Sequence, residues 1–222
     1  MKKIVKILVV ILLAVFVVTG CNNEEEGGNN QQPKTSEYDD YNKNIEVANL
    51  GKYDGEFDIR FAVLKISNYN SVPVYVDAHY EMYDSNKSVM YTKDVLLRVP
   101  ANRAVYAIAR QDPEEETFNS FSYNVKVREE KISDYDEVFN NISISGRNDG
   151  NNIIVNVSNK SKRTTNIYGL VIFYRSSKIV EIKEANEYNL MPTSVRDITV
   201  EYPYNINFDK FEVVLNEVGT EL

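Results

Sequence analysis

Val72-Pro73-Val74-Tyr75-Val76-Asp77-Ala78-His79-Tyr80-Glu81-Met82-Tyr83 decides the fold class. Val72, Val74, Val76, Ala78, Tyr80 and Met82 hold every second position, and Tyr75, Asp77, His79, Glu81 and Tyr83 fall between them. A period of two is that of a strand, because successive side chains of extended backbone point to opposite faces. One face of this segment is apolar and the other polar, so the segment reads as a half-buried strand. From Ile45 onward the chain repeats this style in short runs of Val, Ile, Tyr and Phe punctuated by Asn, Asp, Gly and Ser. No convincing helix is present in the pattern. The expectation is an all-β protein.

Working outward from this strand, the chain matches itself when shifted by about 91 residues. Ile66-Ser67-Asn68 falls on Val157-Ser158-Asn159, Ser71 falls near Ser161, and Tyr83 falls on Tyr174. The inward series Val76, Ala78, Tyr80 and Met82 falls on Ile167, Gly169, Val171 and Phe173. Small gaps carry Val99-Pro100 onto Met191-Pro192, and Phe118 with Phe121 onto Phe208 with Phe211. Each copy opens with a strand before an Asp-Gly turn, at Asp54-Gly55 and Asp149-Gly150. Between the copies, Arg128 to Glu137 is charged and poor in core residues, which places the boundary there. Two tandem antiparallel sandwiches are expected, over residues 45–130 and 138–222, each with six or seven short strands in the manner of immunoglobulin domains.

The 222 residues include Cys21 as the only cysteine, so no disulfide within the chain supports either core. Each copy is long enough to bury a core without that help. The formal charge of −8 argues against nucleic acid and against adhesion to an anionic membrane surface, since both would repel the chain.

The N-terminus has a different character. Lys2, Lys3 and Lys6 precede twelve unbroken apolar residues, Ile7 to Val18, and then Thr19, Gly20 and Cys21. Twelve is the length of a signal-peptide core and short of the roughly 20 that span a bilayer. Val18-Thr19-Gly20-Cys21 resembles the lipobox of bacterial lipoproteins. That resemblance implies a signal peptide over residues 1–20, a diacylglyceryl (palmitate-bearing) anchor on Cys21, and a mature protein at the extracytoplasmic face of the cell membrane. Removal of three lysines takes the formal charge of the mature chain to −11. Residues 21–44, with Glu24 to Glu26, Gly27-Gly28 and Asn29 to Gln32, hold almost nothing to bury and read as a disordered tether. A coil of roughly 24 residues lifts the folded part about 25 to 30 Å from the membrane.

Each copy also combines a strand ending in Asn, a long alternating strand ending in Tyr, a second strand, a Pro turn and a final aromatic strand. This resembles the small Ig-like modules of bacterial surface lipoproteins, including the group named for a Phe-x-Leu-Tyr-Asp pattern. Glu81-Met82-Tyr83-Asp84 carries the match, followed by Ser85-Asn86 and Pro100, whereas the second copy has Arg175 after Tyr174. The resemblance implies a fold and supplies no catalytic residues.

Four groups of residues are weighed as candidate sites. Asp77, His79 and Glu81 share one face of one strand, a set that could ligate a metal. Neighbours two apart stand about 6.5 to 7 Å from each other, which favours a solvated face instead. Leu170 and Ile172 take the positions that are polar in the first copy, so their strand is apolar on both sides and must be covered by the other domain, an added strand or a partner. They form the candidate partner surface. Asp112-Pro113-Glu114-Glu115-Glu116 lacks the alternation and glycine of a calcium loop and reads as a solvated turn. Tyr202-Pro203-Tyr204 suggests an aromatic platform for sugars or peptides, without a tryptophan to strengthen it.

With His79 the only histidine and Cys21 assigned to lipid, no Ser-His or Cys-His mechanism has a second set of parts, and no Gly-rich phosphate loop is present. The sequence therefore leads to a non-enzymatic protein without cofactor. It is expected to be an interaction or structural module of the envelope, with an envelope protein or the cell wall as partner. A module binding cell wall, glycan or small ligands is the alternative.

Overall fold

The computed structural model describes residues 39–55, 59–129, 134–202 and 206–220. The signal peptide, Cys21 and the tether as far as residue 38 lie outside them. Among the described residues twelve strands follow in order: β1 (Ile45–Asp54), β2 (Arg60–Asn68), β3 (Val74–Tyr83), β4 (Val89–Val99), β5 (Arg103–Arg110), β6 (Ser120–Glu129), β7 (Ile142–Asp149), β8 (Asn152–Asn159), β9 (Thr165–Arg175), β10 (Lys178–Leu190), β11 (Val195–Glu201) and β12 (Lys210–Thr220). Short helices α1 (Asp39–Asn42) and α2 (Tyr135–Asn140) precede β1 and β7. The fold is an all-β sandwich.

The strands form four antiparallel sheets of three. The first half has orders β1-β2-β5 and β4-β3-β6, and the second has β7-β8-β11 and β10-β9-β12, which is the same arrangement six strands later. Val74, Val76, Ala78, Tyr80 and Met82 of β3 point into the first core, facing Ala62, Leu64 and Ile66 of β2 and Val105 and Ala107 of β5. Val155 and Val157, Ile167, Val171 and Phe173 build the second core in the same way.

Two buried asparagines show how closely the halves agree. The side-chain amide of Asn68 donates to Val72 O at 2.9 Å and Val99 O at 3.0 Å, and its Oδ1 accepts from the Asn70 N–H. Asn159 donates to Arg163 O and Leu190 O, both at 2.8 Å, and accepts from the Ser161 N–H. Main-chain groups that the strand-to-strand crossing leaves unpaired inside the protein are thus satisfied by one side chain. The bond to Leu190 also corrects the alignment of the copies. Val99 corresponds to Leu190 with no gap, and the left-handed residues Asn102 (φ 57°) and Thr193 (φ 62°) follow at the same offset.

The segment between the copies departs from the expectation. Arg128 to Glu137 reads as linker in the sequence, but Tyr135 begins α2 and is buried with Val138 and Phe139 in the second core. The Asn141 side chain closes the helix by donating to Glu137 O at 2.8 Å. At the other end Tyr41, placed by sequence in the tether, packs against the first core, and its carbonyl accepts from Asn70 Nδ2 at 3.1 Å. Charged neighbours masked a few aromatic anchors in both segments.

Candidate functional site

The polar face of β3 does not converge on a point. His79 Nδ1 hydrogen-bonds Asp94 Oδ1 at 2.6 Å on the β4 side. Glu81 turns the other way and accepts from the Tyr83 hydroxyl at 2.5 Å and from Ser122 Oγ on β6 at 3.2 Å. Those hydrogen bonds, Tyr83 first, hold the Glu81 carboxyl below the usual carboxylate range. Asp77 meets neither neighbour, and its Oδ1 is buried without a hydrogen-bond partner. Among the described residues no group of three His, Cys, Asp or Glu side chains is arranged to hold a metal ion.

Leu170 and Ile172 are covered by the chain itself. They are 6 % and 0 % exposed, in a third apolar cluster that joins Leu170, Ile172 and Ile182 of the second half to Tyr53, Val63 and Tyr106 of the first. The outward face of β1-β2-β5 lies against the outward face of β10-β9-β12. These two side chains therefore present no surface to an outside partner. The physical reason lies in β2, where Phe61-Ala62-Val63-Leu64 is apolar on both faces and leaves Val63 to meet them. Burying a side chain of this size contributes about 1.5 to 3 kcal/mol.

Polar contacts complete the junction. Asn216 Oδ1 accepts from the Tyr106 N–H at 2.6 Å, and its Nδ2 donates to Tyr106 O at 3.1 Å. Arg98 on β4 pairs with Glu217 at 3.2 Å. Asp136 of α2 accepts from the Ala101 N–H at 3.1 Å, and Asn140 accepts from Arg103.

Beside the junction lies a cleft of about 380 Å³, walled by Leu50, Lys65 and Tyr106 from the first half and by Tyr174, Ile179 and Glu212 from the second. Its polar groups serve one another. The Tyr174 hydroxyl donates to Glu212 at 3.2 Å, and Lys210 pairs with the same carboxylate. The Lys210 hydrogen bond is the main reason that the Glu212 carboxyl is held below its ordinary range. Burial, then Tyr106 and Glu212, push the Tyr174 hydroxyl far up.

The remaining candidates are tied down locally. Lys93 bridges Asp112 at 2.6 Å and Glu115 at 3.0 Å. Partial burial alone would lower the Lys93 ammonium, but the bonds to Asp112 and Glu115 outweigh it and hold the ammonium above its ordinary value. Tyr202 packs on Phe173 at 5.4 Å between ring centres and donates to Gly150 O at 2.9 Å, while Pro203 and Tyr204 lie outside the described residues.

No family model and no curated protein matches the chain. Among solved structures, the YadV chaperone is similar over 80 % of this chain and 100 % of its own, at 9 % identity and a TM-score of 0.27. Red sea bream transglutaminase is similar over 76 % of this chain and 30 % of its own, at 9 % identity and a TM-score of 0.24. Likenesses at this level carry no functional argument.

Proposed function

We propose that the chain is an exported protein held by a lipid on Cys21 at the extracytoplasmic face of a bacterial cell membrane. There its joined sandwiches act as a non-catalytic interaction or structural module of the envelope. The observation that carries this reading is the order of the N-terminal residues: three lysines, twelve apolar residues, then Val18-Thr19-Gly20-Cys21. A body held together by a continuous apolar junction suits such a role, because a partner bound at one end meets a surface whose direction is fixed relative to the other.

Metabolic labelling with a fatty acid in a bacterial host tests the reading. The parent chain incorporates label and sediments with membranes, and Cys21→Ala does neither. A Cys21→Ala chain that still incorporates label would overturn the anchor. A parent chain that stays unlabelled and is released into the medium would overturn the localisation.

A further inference from the structure

The two halves differ at one strand edge. β6 and β12 occupy the same place, each hydrogen-bonded on one side to the central strand of its sheet, β3 or β9. In β12 the register shifts between Leu215 and Glu217, and the extra residue, Asn216, reaches out to the main chain of Tyr106. A bulge of this kind disrupts an edge and re-aims a side chain. β6 runs without any register shift along all of β3, from Val74↔Glu129 to Tyr83↔Ser120. Among the described residues no main-chain hydrogen bond reaches its outer side.

Proteins usually guard such an edge with charge, proline or a covering element. α1 lies against β6, and the bond from Asn70 to Tyr41 O sets it at the end of the sheet where β3 starts and β6 finishes. The other end, Ser120 to Val125, has no charged residue and no proline, in a chain that carries 33 acidic and 25 basic side chains. Tyr123 belongs to the inward face, directly opposite Tyr80, yet it remains 37 % exposed, and among the described residues no strand pairs beyond it.

We propose that β6 pairs with β6 of a second copy of this chain, antiparallel about a two-fold axis at Tyr123. The strand is complementary to itself in this register. Phe121 meets Val125 and Tyr123 meets Tyr123 on the inward side. Ser122 meets Asn124 and Ser120 meets Lys126 on the outward side. Apolar residues meet apolar residues on one face, and no like charges are opposed. A two-fold axis makes the contact isologous, so it closes at the dimer instead of growing into a fibre. The pairing joins two β4-β3-β6 sheets into one of six strands and covers the exposed side of Tyr123. It does not depend on the lipid anchor.

Disulfide trapping of the detergent-extracted full chain reads the pairing directly. Directly opposed residues stand about 4.5 to 5.5 Å apart between Cα atoms, within disulfide reach, and residues two positions out of register stand about 7 to 8 Å apart, beyond it. Ser122→Cys mixed with Asn124→Cys therefore gives several-fold more covalent dimer than either variant alone, with the parent chain and its Cys21 as the blank. Equal trapping in the mixture and in the single variants, or none anywhere, overturns the proposal. In a second measurement, Tyr123→Lys lowers dimer formation in sedimentation velocity while the strand signal in circular dichroism is kept. A dimer that survives Tyr123→Lys with the fold intact also overturns it.

Discussion

Asn216 joins the halves by treating Tyr106 as a neighbouring strand would, accepting from its N–H at 2.6 Å and donating to its carbonyl at 3.1 Å. Tyr106 lies in β5, the outer strand of β1-β2-β5, so these main-chain groups have no ladder partner beyond them. With Tyr106 only 5 % exposed, water is a poor substitute.

Asn216→Ala leaves both Tyr106 groups unpaired at the junction. A buried donor or acceptor without a partner costs about 1 to 3 kcal/mol. The expected outcome in urea denaturation is a midpoint lowered by a loss in that range. Asn216→Asp recovers only part, because a carboxylate accepts from the N–H but cannot donate to the carbonyl. An unchanged midpoint for Asn216→Ala would show that solvent replaces the side chain.

Asn68→Ala and Asn159→Ala are expected to cost similar amounts, since each strips at least one buried carbonyl, one part-buried carbonyl and one buried N–H of their partners. Each loss is at least about 1 to 3 kcal/mol. Denaturation of the two single variants side by side checks the equivalence. A large loss at one position with none at the other would contradict the shared role.

Much of this architecture is legible in the sequence, and the illegible parts have physical reasons. β3 shows itself because one face is buried and the other wet. Leu170 and Ile172 announce that they are covered, but the identity of the cover depends on Val63 and Tyr106, far away in the chain. The run Phe61-Ala62-Val63-Leu64 is the matching signal, a second strand apolar on both faces. α2 was hidden by its charges. A trace of it exists in the agreement of Ser133-Asp134-Tyr135-Asp136-Glu137 with Ser36-Glu37-Tyr38-Asp39-Asp40, ahead of the two copies. Asn216 is subtler still. Phe121 and Phe211 face equivalent residues, Met82 and Phe173, and so do Lys126 and Glu217, facing Asp77 and Tyr168. The intervening stretch is one residue longer in the second copy, and that residue is the clamp. On β3, His79 and Glu81 find partners on opposite neighbouring strands, which strand spacing alone does not reveal.

Gly169 stands where the first half has Ala78, and it cannot accept the same side chain. A Cβ there would lie 2.7 Å from Ala185 O and 2.8 Å from Ile144 Cδ1. The carbonyl belongs to the neighbouring strand β10, so relief requires the sheet to shift. Gly169→Ala is expected to destabilise by about 1 to 3 kcal/mol, the usual cost of overpacking. Thermal unfolding of Gly169→Ala against the parent measures it, and a raised melting temperature would mean that the strands separate without penalty.

Alkaline pH should unfold the protein through its buried tyrosines. Burial is the main cause that raises the hydroxyls of Tyr53, Tyr80 and Tyr174 well above their ordinary value of 10.0. A group whose folded-state pKa is raised binds its proton more tightly in the folded state, so its contribution is complete below the unfolded value and is lost as pH climbs through the folded one. Stability is thus expected to hold below about pH 10 and to fall steadily above it. Tyr80 reaches Ala107 O with a 2.9 Å hydrogen bond, and ionisation would destroy that bond within the first core. The measurement is tyrosinate absorbance recorded with circular dichroism along an alkaline titration. A rise in tyrosinate absorbance at high pH is expected to coincide with loss of the strand signal. Complete ionisation of all tyrosines while the strand signal persists would contradict the burial on which the argument rests. Tyr80→Phe keeps the ring and removes the ionisable group, so it should move the unfolding step to higher pH, less the contribution of the hydroxyl's hydrogen bonding.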